Sequence, residues 1–237
     1  MVKRNLVPSR EKAQAYIMAG SVMVDGNREL KAGTKYDENV DIQLLEDPIK
    51  YVSRGGLKLE GALDEWDIDL SGKIAVDIGA STGGFTDLML ERGATKVYAI
   101  DVGYGQLDYK LRIDPRVVNM ERTNVRYLDT TLIQDEIDFI CIDVSFISLS
   151  KIFLVAAQLL NDSGMIVALI KPQFEADREQ VGKGGIIRDP EVHQMTIDRV
   201  KGYAMDNNLI PKAVIDSPIT GTKGNKEFLI LIKKNDI

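Results

Sequence analysis

The chain has 237 residues, 44% of them hydrophobic, which is enough for one full α/β domain with a small appendage. A formal charge of -6 argues against a protein that coats nucleic acid through a bulk positive field. The single cysteine excludes disulfides, and one cysteine with one histidine cannot furnish a zinc site, so no metal is expected.

No apolar stretch approaches the roughly 18 residues that span a bilayer. The opening MVKRNLVPSR has no apolar segment behind its basic residues, so the expectation is a cytoplasmic protein with no membrane partner. Up to residue 35, seven basic residues (Lys3, Arg4, Arg10, Lys12, Arg28, Lys31, Lys35) stand against three acidic ones (Glu11, Asp25, Glu29). Five acids follow between 37 and 47. A basic patch on an acidic protein suits docking on a structured polyanion, with a solvated face as the plainer reading.

Ser9 precedes REKAQAYIMAG, in which Ala13, Tyr16 and Ile17 recur at helical spacing and Gly20 can close the helix. Val22 and Val24 then alternate ahead of an Asp25-Gly26 pair, a strong hairpin signal. The result is a mini-domain over 1–48. Its SREKAQAYIMAGSVMVDG resembles the helix-turn-strand core of the S4 RNA-binding module, without the extra helix that normally precedes that core. Residues 49–56, ending YVSRGG, read as a linker. In LKLEGALDEW, Leu59, Leu63 and Trp66 fall on one helical face, opening a second domain over 57–237. There, apolar runs (KIAVDI, KVYAID, RVVNM, DFICIDV, GMIVALI) alternate with helical stretches, the pattern of a doubly wound parallel sheet. The closing pair KAVID and KEFLILI reads as a hairpin, making the last strand antiparallel. Cys141, inside an apolar run, is expected as a buried thiol, and His193 on a helix surface.

After the first strand comes IGASTGGFTD, a glycine turn opening a helix, where open α/β sheets bind nucleotide-like ligands. The absence of GKS or GKT excludes a phosphate-gripping loop. The spacing is GxxxGG rather than GxGxxG, and Asp77 before it would repel a pyrophosphate but suit a sulfonium and an ammonium. Asp101 ends the second strand, placed to take two ribose hydroxyls. These features point to S-adenosylmethionine. Thr123 and Asn124 would supply adenine contacts, with an ordinary polar loop as the alternative. The full expected cofactor set is Asp77, Gly79, Ala80, Ser81, Gly83, Gly84, Phe85, Thr86, Asp101, Val102, Thr123, Asn124 and Asp143.

The fourth strand delivers Asp143 and the fifth Lys171 to the same edge, the latter fixed by a following proline. Neither an NPPY-like segment nor a Pro-Cys nucleophile is present, which disfavours base-amino and cytosine-C5 methylation. The series YVSRGGLKLEGAL, DIGASTGGFTD, DVGYGQL, DPRVVNMERTN, DVSFISL, KPQFE, VGKGGIIRDP and GNKEFL resembles the TlyA family, often labelled haemolysin, whose catalytic half is FtsJ-like. The resemblance implies a Rossmann-like class I S-adenosylmethionine methyltransferase with a mostly parallel seven-stranded sheet. It implies a catalytic tetrad of Lys58, Asp143, Lys171 and Glu227, and ribose 2′-O-methylation of cytidine in ribosomal RNA of the small subunit, with the large subunit as a further candidate. A charged Lys171 could only orient the hydroxyl, a neutral one could take its proton, and both roles stay open here. Arg4, Arg10, Lys12 and Arg54 are the expected RNA contacts. The competing readings are an assembly factor with an inactive transferase fold, a nicotinamide-dependent oxidoreductase, and a membrane-active haemolysin, which would need spanning helices or long alternating strands.

Overall fold

The structure, a computed structural model, describes residues 1–7, 9–18, 20–45, 50–221 and 224–234 apart from the Ala15 side chain, and the chain divides into two compact units, Met1–Lys50 and Tyr51–Ile237.

In the smaller unit, helix α1 (Arg10–Met18) begins where the Ser9 hydroxyl accepts from the Lys12 amide at 3.2 Å. It ends at Gly20, which adopts φ +71 and whose N–H returns to Ile17. Strands β1 (Val22–Val24) and β2 (Asn27–Glu29) pair across Asp25 and Gly26, both at positive φ as a two-residue hairpin turn requires. A third strand, β3 (Ile42–Leu44), pairs with the other side of β1, a partner the sequence reading did not anticipate. Three residues of alternation are too few to stand out from a polar loop. Val7, Ala13, Tyr16, Val22 and Val24 form the small core. The expected boundary near Asp47 and Pro48 lies outside the described residues.

The larger unit carries a seven-stranded sheet, formed by β4 (Ile74–Ile78), β5 (Lys96–Ile100), β6 (Val117–Met120), β7 (Ile137–Ile142), β8 (Leu160–Ile170), β9 (Ile210–Asp216) and β10 (Phe228–Lys233). Their order is β6-β5-β4-β7-β8-β10-β9. The first five are parallel, and β10 runs antiparallel between β8 and β9. The expected doubly wound sheet with an antiparallel last strand is therefore present. Apolar side chains alternate onto two separate cores: Ile140 and Ile142 face one, Phe139 and Cys141 the other. Burial on both faces explains why these strands read as continuous apolar runs. Helices α2 (Gly55–Glu65) and α3 (Gly84–Glu91) cover one face, while α5 (Phe153–Leu159) and α7 (Pro190–Met205) cover the other. The short α4 (Tyr109–Arg112) and α6 (Pro172–Glu175) follow β5 and β8.

Two expectations need correcting. From Tyr51 onward the supposed linker belongs to the larger unit: Tyr51 is buried, and the Val52 amide donates to Asp87 at 2.8 Å. Gly55 and Gly56 open α2 instead of loosening a tether. A Cβ on Gly56 would lie 2.9 Å from the Gly84 carbonyl oxygen, so the Gly56–Gly84 pair lets the backbones of α2 and α3 meet. His193 is buried on α7 rather than displayed, with Nε2 3.2 Å from the Ile187 carbonyl and its ring edge-on to Phe228. Cys141 is fully buried, as expected, and burial raises its thiol well above the usual range.

Candidate active site

The carboxyl edge of β4, β5, β7 and β8 is where the chain leaves the sheet, so side chains just beyond these strands converge. Asp143 follows β7, and its amide donates to the Ile78 carbonyl at 2.9 Å. Lys171 follows β8 in an extended conformation, held there by Pro172 at the first position of α6. Because β10 is antiparallel, its first residues reach the same edge: Phe228 opposes Ile170, which places Glu227 level with Lys171. Lys58 arrives from the second turn of α2.

These four form an alternating chain of charge. Lys58 Nζ donates to Glu227 Oε2 at 2.6 Å and stands 3.8 Å from Asp143 Oδ2, while Lys171 Nζ lies 2.5 Å from Asp143 Oδ1. Lys171 also donates to the Ser145 hydroxyl at 2.9 Å. Lys58, Lys171 and Glu227 are all buried, yet two cations face two carboxylates, so no net charge is left in the low-dielectric edge. Beside them opens a cavity of about 610 Å³, whose wall includes the tetrad, Gly79, Ser81, Ser145 and Phe146. Phe146 is 90% exposed at φ +63, with its ring centroid 5.0 Å from that of Phe174.

The cofactor set divides in two. Gly79 adopts φ +87 where a Cβ would run into the Asp143 carbonyl, and Ser81 adopts φ +49, so the turn is tightly bent against the β7 exit. The Asp101 carboxylate accepts from the Ser81 amide at 2.8 Å and the Gly103 amide at 2.7 Å, and Val102 beside it is largely exposed. These residues border the open edge. Asp77, Ala80, Phe85 and Thr86 lie beneath the turn instead, all buried. Asp77 accepts from the Thr86 hydroxyl at 2.7 Å, its other oxygen is buried without a hydrogen bond, and desolvation pushes its pKa up to about 7. Gly83 at φ +96 packs on Leu107 and Leu111, and Gly84 on Gly56. The Asn124 side-chain oxygen caps a short helix by accepting from the Arg126 amide at 3.1 Å, and the Thr123 hydroxyl donates to the Glu121 carbonyl, the local roles of an ordinary polar loop.

Of the expected RNA contacts, Arg4 donates to the carbonyls of Val40 and Glu38, bracing the smaller unit. Arg10 is exposed on α1 and Lys12 half-buried, whereas Arg54 is exposed at the start of α2 in the larger unit.

Several contributors were not singled out from sequence, although each sits inside a quoted motif. Glu175 of KPQFE is buried and accepts from the Ser148 hydroxyl at 2.7 Å and the Leu149 amide at 2.8 Å, tying the loop after Lys171 to the loop after Asp143. Burial is the main reason its pKa is raised. Asn225 of GNKEFL accepts from the Ile187 amide and donates to the Gly185 carbonyl, pinning VGKGGIIRDP beside the strand that carries Glu227. Among the described residues no helix is long and apolar enough to cross a membrane, and no group of three or more His, Cys, Asp or Glu could hold a metal.

The FtsJ-like methyltransferase model matches residues 51–234. The chain is 50% identical over 231 residues to a provisionally named rRNA methyltransferase, YqxC, of Bacillus subtilis (strain 168), covering 97% of this chain and 82% of that one. It is 40% identical over 234 residues to the 16S/23S rRNA (cytidine-2′-O)-methyltransferase TlyA of Mycobacterium tuberculosis (strain ATCC 25618 / H37Rv), covering 98% and 87%. A solved structure from Streptococcus thermophilus, provisionally called a hemolysin, superposes with a TM-score of 0.81 at 46% identity, covering 98% of this chain and 85% of that one.

Proposed function

We propose, from the premise that the chain belongs to the FtsJ-like methyltransferase family, that it transfers a methyl group from S-adenosylmethionine to the ribose 2′-hydroxyl of cytidine in ribosomal RNA. The observation that carries this reading is the Lys58–Asp143–Lys171–Glu227 array, three of its members buried, beside a bent glycine turn. A ribose hydroxyl needs no electrophilic activation, only in-line placement and a route for its proton, and a lysine fixed by a carboxylate and a hydroxyl serves both. The named activity of the Mycobacterium tuberculosis relative supports cytidine in 16S and 23S rRNA as the substrate class.

The open edge fits the cofactor. The Asp101 carboxylate is fixed by two backbone amides, which leaves lone pairs for ribose hydroxyls, and Val102 offers an apolar surface for adenine. Gly79 and Ser81 border the cavity where the methionine portion would lie. When bound, S-adenosylmethionine supplies the methyl group on a sulfonium. Lys171 takes the hydroxyl proton when its amine is neutral and orients the hydroxyl when it is an ammonium, Asp143 holds Lys171, and Lys58 with Glu227 fixes Asp143 from behind. Phe146 and Phe174 give the base of the target nucleotide a stacking surface. Arg10, Lys12 and Arg54 contact RNA phosphates, and the smaller unit acts as an S4-like module. Arg4 supports that module through its carbonyl contacts.

The test is transfer of labelled methyl groups to ribosomal subunits and to naked rRNA, followed by mapping of ribose methylation. Label at a cytidine 2′-oxygen is the expected result. Label on a base, or none with cofactor bound, would reject the reading in favour of another transferase or of an inactive assembly factor.

A further inference from the structure

Lysine is a flexible cation on a four-carbon stem, and its nitrogen has four tetrahedral directions. One is taken by its own carbon. At Lys171 one more is fixed by the N–H donated to the Ser145 hydroxyl at 2.9 Å, while the ion pair with Asp143 Oδ1 at 2.5 Å crowds another without making an aligned hydrogen bond. The stem itself is buried and leaves β8 through an extended residue ahead of Pro172, so the nitrogen cannot swing to a new pair of partners. One direction remains.

We propose that Ser145 is a positioning residue that aims this remaining direction of Lys171 into the cavity, toward the hydroxyl to be methylated, a role that rests on the function proposed above. The consequence holds in either protonation state. A neutral amine donates one N–H group to Ser145 and turns the other toward Asp143, leaving its lone pair as the fourth direction. An ammonium spends two N–H groups in the same way and presents the third to the substrate oxygen. Asp143 alone would leave the nitrogen free to rotate about one contact. The pairing of β7 with β8 explains why a serine can do this: Ile142 opposes Ala168, so the chain three residues on brings Ser145 level with Lys171. Ser145 also lines the cavity wall, on the same side as the lysine it holds. Its neighbour Phe146 takes up the strained backbone at φ +63 that turns the loop there.

Ser145→Ala removes the second contact while sparing the Asp143 pair. On a cytidine-containing rRNA substrate, kcat should fall between about tenfold and 10²-fold, the cost of a reacting group misplaced by a fraction of a bond length or more. The KM for RNA and the affinity for S-adenosylmethionine should stay within about twofold. Under single-turnover conditions, Ser145→Ala added to Lys171→Ala should cost nothing further, since there is no longer a nitrogen to aim. Wild-type enzyme on the same RNA reports separately on the proposed reaction. If the wild type methylates and Ser145→Ala matches its kcat, or if the two substitutions prove additive, the proposal is wrong. A raised KM with intact kcat would also overturn it, making Ser145 an RNA contact.

Discussion

The two ends of the site are built by different means. At the tetrad end, four charged side chains from four separate elements meet within a few ångströms, and backbone contributes little beyond delivery. At the glycine-turn end the working parts are bends of the main chain, with the Asp101 carboxylate clamped by two amides at the open edge. Proton handling requires groups that can gain or lose charge. Holding a nucleoside requires shape and directed donors. The same sheet edge serves both because adjacent strand exits have opposite tasks.

The contrast breaks most visibly at Lys171. Replacement by alanine should lower turnover by about 10² to 10⁴, the usual contribution of a general base, while calorimetry with S-adenosylmethionine gives nearly the wild-type affinity. Arginine keeps the charge but cannot accept a proton, so it should be almost as slow. Substantial activity in Lys171→Arg would assign the lysine to orientation alone. Loss of cofactor binding in Lys171→Ala would show that the two ends are not separable.

A second test concerns the carboxylate beneath the turn. Asp77 has a folded pKa of about 7 against an ordinary 3.8, because burial penalises its charge. The fold therefore holds its proton more tightly than the unfolded chain does. Its contribution is fully present below pH 3.8 and is lost as pH rises to about 7, beyond which the loss is constant. The difference amounts to at most about 4 kcal/mol by the usual conversion of pKa to free energy. Asp77→Asn keeps an acceptor for Thr86 and cannot ionise, so its stability relative to wild type should climb between pH 5 and 7 in chemical denaturation. A pH-independent difference would place the titration elsewhere.

The smallest effect belongs to Asp101. Truncation to alanine removes charged hydrogen bonds worth roughly 1.5 to 3 kcal/mol each, so S-adenosylmethionine should bind about ten- to a hundredfold more weakly. Turnover at saturating cofactor should change far less. A fall in kcat without a change in affinity would move Asp101 from the cofactor to the chemistry.

Most of the sheet was legible because strands buried on both faces leave long apolar runs, and the Asp25-Gly26 turn because few sequences tolerate two positive φ angles in succession. Strand β3 was not, since an alternation of only three residues does not stand out from a polar loop. The glycines at 55 and 56 misled for a physical reason: glycine marks a flexible tether and a close backbone approach equally, and only Gly84 on the facing helix decides between them. Asp77 and Asp101 look alike as acids at strand ends, yet Thr86 draws one inward while Ser81 and Gly103 hold the other at the edge. Ser145 and Glu175 act through contacts 26 and 27 residues away, respectively, which no local pattern records.

The 2.6 Å contact between Lys58 and Glu227 joins positions 169 residues apart. A contact of such separation closes a long loop at an entropic cost, and it depends on β10 lying between β8 and β9. The four-residue array is therefore complete only when β10 is paired in the sheet. Methyl transfer by this chain is a stringent report on folding itself: a molecule that turns over has, by that fact, closed its sheet.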